Sequence, residues 1–157
     1  MSNQIKYRDL TGYKYQLAED YEIGISGAFG QVRERSVMMH PAKRPMIRLT
    51  RLVGNPGCSL LWISAGYSWD GPSGPTIDTP NFMRGSLVHD ALYQLIRERL
   101  IPVAFKDEAD QVLRKICLQD GMSALRAWIV YQGVKRFAGF ATANRDREPI
   151  EIIRIAP

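Results

Sequence analysis

Cysteine is scarce: Cys58 and Cys117 stand alone, with no CxxC and no Cys/His ligand spacing. Two isolated thiols make neither a disulfide framework nor a cysteine-built zinc site. Both read as small buried hydrophobes, and the chain is expected to fold in a reducing cytoplasm. Histidine is equally rare, with two copies. No stretch reaches the roughly 18 apolar residues that a spanning helix needs, so no transmembrane segment is expected. The opening residues SNQIKYRD show no basic patch followed by an apolar run, so no secretory signal is expected. Internal repeats and low-complexity blocks are lacking too. The net charge of +5 is scattered over positions such as Arg33, Arg48, Arg97 and Arg126 rather than gathered in a run. No nucleic-acid partner is expected from that distribution.

What is present is a composition near the globular average, 45% hydrophobic and 24% charged over 157 residues. That length suits one domain spanning 1–157. It can bury roughly 68–70% of the unfolded chain's surface. Two grammars divide it. Over 13–69 the pattern is short and alternating: Tyr13-Tyr15-Leu17, Tyr21-Ile23-Ile25, Ile47-Leu49 and Leu60-Trp62-Ser64, punctuated by Gly54-Asn55-Pro56-Gly57. Such segments read as antiparallel strands and hairpins.

Over 80–139 the period becomes helical. Thr79 is a candidate N-cap with Pro80 at the first helical position. Val88, Ala91, Leu92, Leu95 and Ile96 then form an apolar stripe, and the helix is expected to stop before Pro102. A second helix carries Ala109, Val112, Leu113, Ile116 and Cys117 and ends at Asp120-Gly121. Ser123 can cap a third, bearing Ala124, Ala127, Trp128, Tyr131 and Val134, with Lys135 and Arg136 in its last turn. The tail, 140–157, is looser, with a strand expected at Ile150-Ile152. Strands and helices in separate blocks predict an α+β fold: antiparallel β hairpins or a small sheet, then three helices containing an antiparallel pair.

Between these halves lies GYSWDGPSGPTIDTPNFMRGSLVHDALY, from Gly66 to Tyr93. With Leu92 as the centre of the apolar face and about 100° per residue, His89 falls roughly 60° off centre and Asp90 roughly 160°. On the second helix, centred on Leu113, Asp110 falls roughly 60° off and Asp107 roughly 120°. Antiparallel packing of the two stripes brings His89 and Asp110 within hydrogen-bond reach at the edge of the seam. A half-buried carboxylate needs a partner. An imidazole held by one can take a proton from water through its other nitrogen. Asp90, turned off the core, can join Asp70 and loop carbonyls around a hard cation such as calcium. That cation would stabilise the oxyanion of ester hydrolysis.

HDALY, the upstream loop GYSWDGPSG and EADQV on the next helix resemble the active-site pattern of phospholipases of the A-two type, above all the compact microbial members and the parvovirus capsid phospholipase domain. The resemblance implies that His89 is the base, that Asp110 orients it and that Tyr93 hydrogen-bonds to the aspartate. It implies calcium held by Asp90 with loop residues around Asp70 and Gly71. The loop departs from that pattern in lacking the full set of glycines and in carrying Pro72, and the flanking cysteine pairs are absent. A second resemblance covers Met46 to Gly139, through GYSWDGPSGPTIDT, NFMRGSLVHDALYQL and RAWIVYQGV. It is to an uncharacterised family of tailed phages and prophages, domain of unknown function thirteen-fifty-three. It implies a phage protein made in the host cytoplasm and carried in the virion or tail, or released at lysis, with other virion proteins as partners; the phospholipase resemblance adds host membrane phospholipid.

Blander readings stand beside these. The HDxxY motif can be a buried packing network in a non-catalytic tail or assembly component. His89, Asp90 and Asp110 can instead serve a metal-dependent cell-wall hydrolase. Asp70-Gly71 can be a turn, and Asp78 a helix cap. Trp69, Phe82 and Met83 read as core or as an apolar rim that meets lipid. Tyr93 and Trp128 read as core. His40 has no partner at metal spacing and is assigned no role.

Overall fold

The computed structural model describes residues 4–9, 15–39, 44–52, 54–55, 57–71 and 79–141. The expectations placed on Tyr13, His40, Pro72, Asp78 and the Ile150-Ile152 strand lie outside these residues. The fold is α+β. Two antiparallel sheets come from the first half and three helices from the second.

The smaller sheet has the order β1-β2-β7, from β1 (Tyr7–Asp9), β2 (Tyr15–Leu17) and β7 (Ser68–Trp69). The larger has the order β3-β6-β5-β4, from β3 (Tyr21–Gly30), β4 (Arg35–Met39), β5 (Arg44–Arg51) and β6 (Gly57–Ile63). On β3, Tyr21, Ile25 and Phe29 are buried on one face with Ile23 half-buried between the first two, and the alternation breaks at the register shift between Ser26 and Gly30. On β6 the inward residues are Ser59, Leu61 and Ile63, the opposite phase to the expected Leu60-Trp62-Ser64. The run Leu60-Leu61-Trp62-Ile63 is apolar on both faces, so alternation alone cannot fix its phase. Register decides it: Leu61 pairs with Leu49 and Ile63 with Ile47, both fully buried. Trp62 is left on the outer face, beneath the Arg48 guanidinium at 5.6 Å.

Helix α1 (Pro80–Arg97) begins where the Thr79-Pro80 pair predicts. The Thr79 hydroxyl donates to the Asn81 side chain rather than capping the helix. The helix ends earlier than Pro102 requires. Arg99 takes a left-handed φ of 56°, and Leu100 N–H turns back onto the Leu95 carbonyl. That turn buries Leu100 and Ile101, a gain that straight continuation would forgo. A 3₁₀ turn at Val103–Phe105 leads into α2 (Lys106–Gln119), and Gly121 closes it with φ of 85°. α3 is Ala124–Ala141.

The main core joins both sheets to α1 and α2: Leu17, Phe29, Leu49, Leu61, Leu87, Leu92, Ala109 and Ile116 belong to it. A second cluster packs Phe82 of α1 and Leu113 and Cys117 of α2 against Ala127 and Val130 of α3. Trp69, Phe82 and Met83 are all buried, so the core reading of these three holds and the lipid-rim reading does not. Trp128 goes the other way. It is 49% exposed, because α3 seats Ala127, Val130 and Val134 inward. Cys117 is buried, which pushes its thiol up to about 12; Cys58 is half-buried, and both are free.

Candidate active site

The seam between α1 and α2 is antiparallel: Arg84 meets Asp120, Gly85 meets Cys117 and Leu113, and His89 meets Asp110. Beside the Arg84 end the helices approach closely. A Cβ on Gly85 would lie 2.9 Å from both Cys117 Sγ and Leu113 Cδ1, where ordinary contact begins at roughly 3.5 Å. One turn further along α1, that spacing brings the His89 ring onto Asp110.

His89 Nε2 lies 2.8 Å from Asp110 Oδ1, and the Tyr93 hydroxyl donates to the same oxygen at 2.7 Å. A carboxylate only accepts, so Nε2 carries the proton and Nδ1 holds the lone pair. The His89 and Tyr93 rings are stacked with centroids 4.1 Å apart and planes tilted by 35°. Asp110 is 1% exposed and the His89 side chain 12%. Asp90 Oδ1 stands 3.8 Å from Nδ1. That is too far for a hydrogen bond but close enough to act as charge.

Burial works against the imidazolium, but the Asp110 hydrogen bond and the Asp90 carboxylate outweigh it and hold the His89 pKa above its ordinary value. Burial and the bond to Asp110 raise the Tyr93 pKa as well, so Tyr93 stays a neutral donor. The arrangement is an oriented imidazole with a free lone pair, backed by a buried acid and a phenol. In chemical terms it can take a proton from water and return it to a leaving group.

The residues expected to hold calcium are less gathered. Asp90 flanks the imidazole, and Asp70 is exposed just after β7. Gly71 is buried with φ of 75°, and a Cβ there would strike the Tyr15 ring. Among the described residues, no three His, Cys, Asp or Glu side chains gather as a metal group. The described side-chain donors are two carboxylates, where calcium takes six to eight oxygens.

The helix pair is also fastened by residues that sequence reasoning passed over. Buried Arg84 grips Asp120 with two bonds, at 2.6 and 3.0 Å, and reaches Gln119 and the Tyr21 hydroxyl. The Ala28 N–H, beside Gly27 at φ of 111°, donates to Glu108 of α2. Asp107 accepts from Lys135 and Tyr131 of α3. Gly85 alone gave a signal, as a glycine inside an apolar helix marks a packing reason. Two clefts, of about 710 and 1230 Å³, lie elsewhere: one by Arg35, Arg97 and Arg99, the other by Lys6, Tyr21, Arg84 and Asp120. Compared with family models, curated proteins and solved structures, the chain matches none, so its resemblances rest on the motifs quoted above.

Proposed function

We propose that the chain is a phage-encoded ester hydrolase of the phospholipase A-two kind, carried in the virion or freed at lysis and acting on host membrane phospholipid. The observation that carries this reading is the convergence of His89 Nε2 and the Tyr93 hydroxyl on one buried oxygen of Asp110. In the proposed reaction, Nδ1 of His89 removes a proton from water as the water oxygen attacks the ester carbonyl. Asp110 fixes the ring and stabilises the imidazolium, and Tyr93 fixes Asp110. Collapse of the tetrahedral intermediate expels the alcohol oxygen, which takes the proton back from Nδ1. Calcium, held by Asp90 with Asp70 and Gly71 in this proposal, would polarise the carbonyl when bound.

The test is acyl-chain release from phospholipid vesicles with and without added calcium. Release that falls by about 10²-fold or more in His89→Ala supports the base role. Inactive wild-type protein, with His89→Ala indistinguishable from wild type in phage infection, refutes it. One observation favours a second reading, a non-catalytic virion component: the Asp110 side chain is 1% exposed and that of His89 12%, as in a packing network. A metal-dependent cell-wall hydrolase draws no support from the described side chains.

A further inference from the structure

The outer face of α3 has no covering among the described residues. Leu125, Trp128 and Ile129 are 70%, 49% and 52% exposed. Their i, i+3, i+4 spacing makes one ridge rather than scattered apolar side chains. Gln132 and Arg136 continue that ridge, Arg136 standing roughly 20° from Leu125 at about 100° per residue. The helix carries Arg126, Lys135 and Arg136 and no acidic residue, in a chain of net charge +5. Lys135 is held by Asp107, one turn before Asp110. That bond ties α3 to the helix that supplies Asp110.

Tryptophan and aliphatic side chains on one face, with arginine continuing it and no acidic residue on the helix itself, are the chemistry of an interfacial helix. The basic complement selects among apolar surfaces, because an anionic headgroup layer attracts it and a neutral one does not. We propose that the Leu125–Trp128–Ile129 face of α3 docks the protein on an anionic phospholipid surface. This deepens the hydrolase reading and rests on it, since it names the surface from which that site would draw its ester.

The probe is vesicles of dialkyl-ether phosphatidylglycerol, which contain no ester to cleave, against ether phosphatidylcholine. Wild-type protein should sediment with the anionic vesicles at least tenfold more strongly than with the neutral ones. Leu125→Ser with Ile129→Ser should lose at least tenfold of that binding. Wild-type tryptophan emission should shift to the blue on binding, and Trp128→Phe should abolish the shift while Trp62 and Trp69 remain. Vesicle binding unaffected by the serine pair overturns the proposal. So does a solution dimer that the same substitutions split, since a second copy would then cover the ridge. Binding to ether lipid without acyl release from diacyl phosphatidylglycerol refutes the hydrolase reading and leaves docking intact. Cleavage of a dispersed short-chain ester without vesicle binding refutes docking alone.

Discussion

A methyl group added at Gly85 should test whether the helix seam sets the site. In Gly85→Ala the new Cβ meets Cys117 Sγ and Leu113 Cδ1 at 2.9 Å and the Leu113 carbonyl oxygen at 3.4 Å. Both close neighbours are buried side chains with little room to retreat. Overpacking of this kind costs about 1–3 kcal/mol. Alanine in place of glycine inside a helix returns about 1 kcal/mol, so the net loss should be roughly 0–2 kcal/mol. Cys117→Ala alone should cost about 1 kcal/mol by leaving a small void. Combined, the two changes exchange the sulfur for the methyl across the seam, and Leu113 gains space to turn aside. The double variant should be more stable than the sum of the singles by about 1–2 kcal/mol, within the range for touching residues.

Urea unfolding of the four proteins at one pH measures that coupling. Additivity within about 0.5 kcal/mol would refute a close-packed seam at this position. The same four proteins report on the site. A seam opened by a few tenths of an ångström lengthens the 2.8 Å contact of His89 with Asp110. Acyl release should therefore fall in Gly85→Ala and recover in the double variant.

Three further outcomes follow from the contacts. Tyr93→Phe removes one hydrogen bond to a buried carboxylate and should lower unfolding stability by about 1.5–3 kcal/mol, read by urea denaturation, with His89 still bonded to Asp110. The folded pKa of His89 is raised above 6.5, so its contribution to stability is complete below the unfolded value and is lost as pH rises through the folded one. Asp110→Asn removes a counter-charge. In calcium-free buffer, NMR titration should show the His89 pKa falling relative to wild type, the stability loss with rising pH weakening and the acid limb of any hydrolysis moving to lower pH; an unchanged His89 titration would sink the assignment. Arg84→Met leaves Asp120 and the Tyr21 hydroxyl without their buried partner and should cost about 3–5 kcal/mol in thermal or chemical unfolding.

The pairing of His89 with Asp110 was legible in the sequence because it depends on two robust quantities. One is the helical period, which puts each side chain on the flank of its apolar stripe. The other is the short connection that turns α2 back along α1. Tyr93, one turn from His89, follows from the same period once the phospholipase resemblance names its partner. What escaped depended on tertiary choice. β1 is exposed at all three positions and carries no burial signature to read. The doubly apolar run on β6 hides its phase until its neighbours are in place. Trp128 looked like core because apolar residues fall on both faces of α3; the face bearing Ala127, Val130 and Val134 is the one that packs on Leu113 and Cys117.

The dyad's own bonds are too weak to set its geometry. A hydrogen bond to a charged group is worth about 1.5–3 kcal/mol, comparable with burying a single leucine. The seam carries many such side chains, including Leu87, Leu92, Val112 and Ile116. It is fastened at one end by Arg84 on Asp120 and near the other by Glu108 on the β3 bulge and Asp107 on α3. His89 and Asp110 lie between these fastenings and inherit their separation. An acid that was itself the fastener could not be varied without moving the helices. Here the scaffold bears the load, so the imidazole and carboxylate are held at bonding distance whether the ring is neutral or protonated, as the proposed general-base role requires.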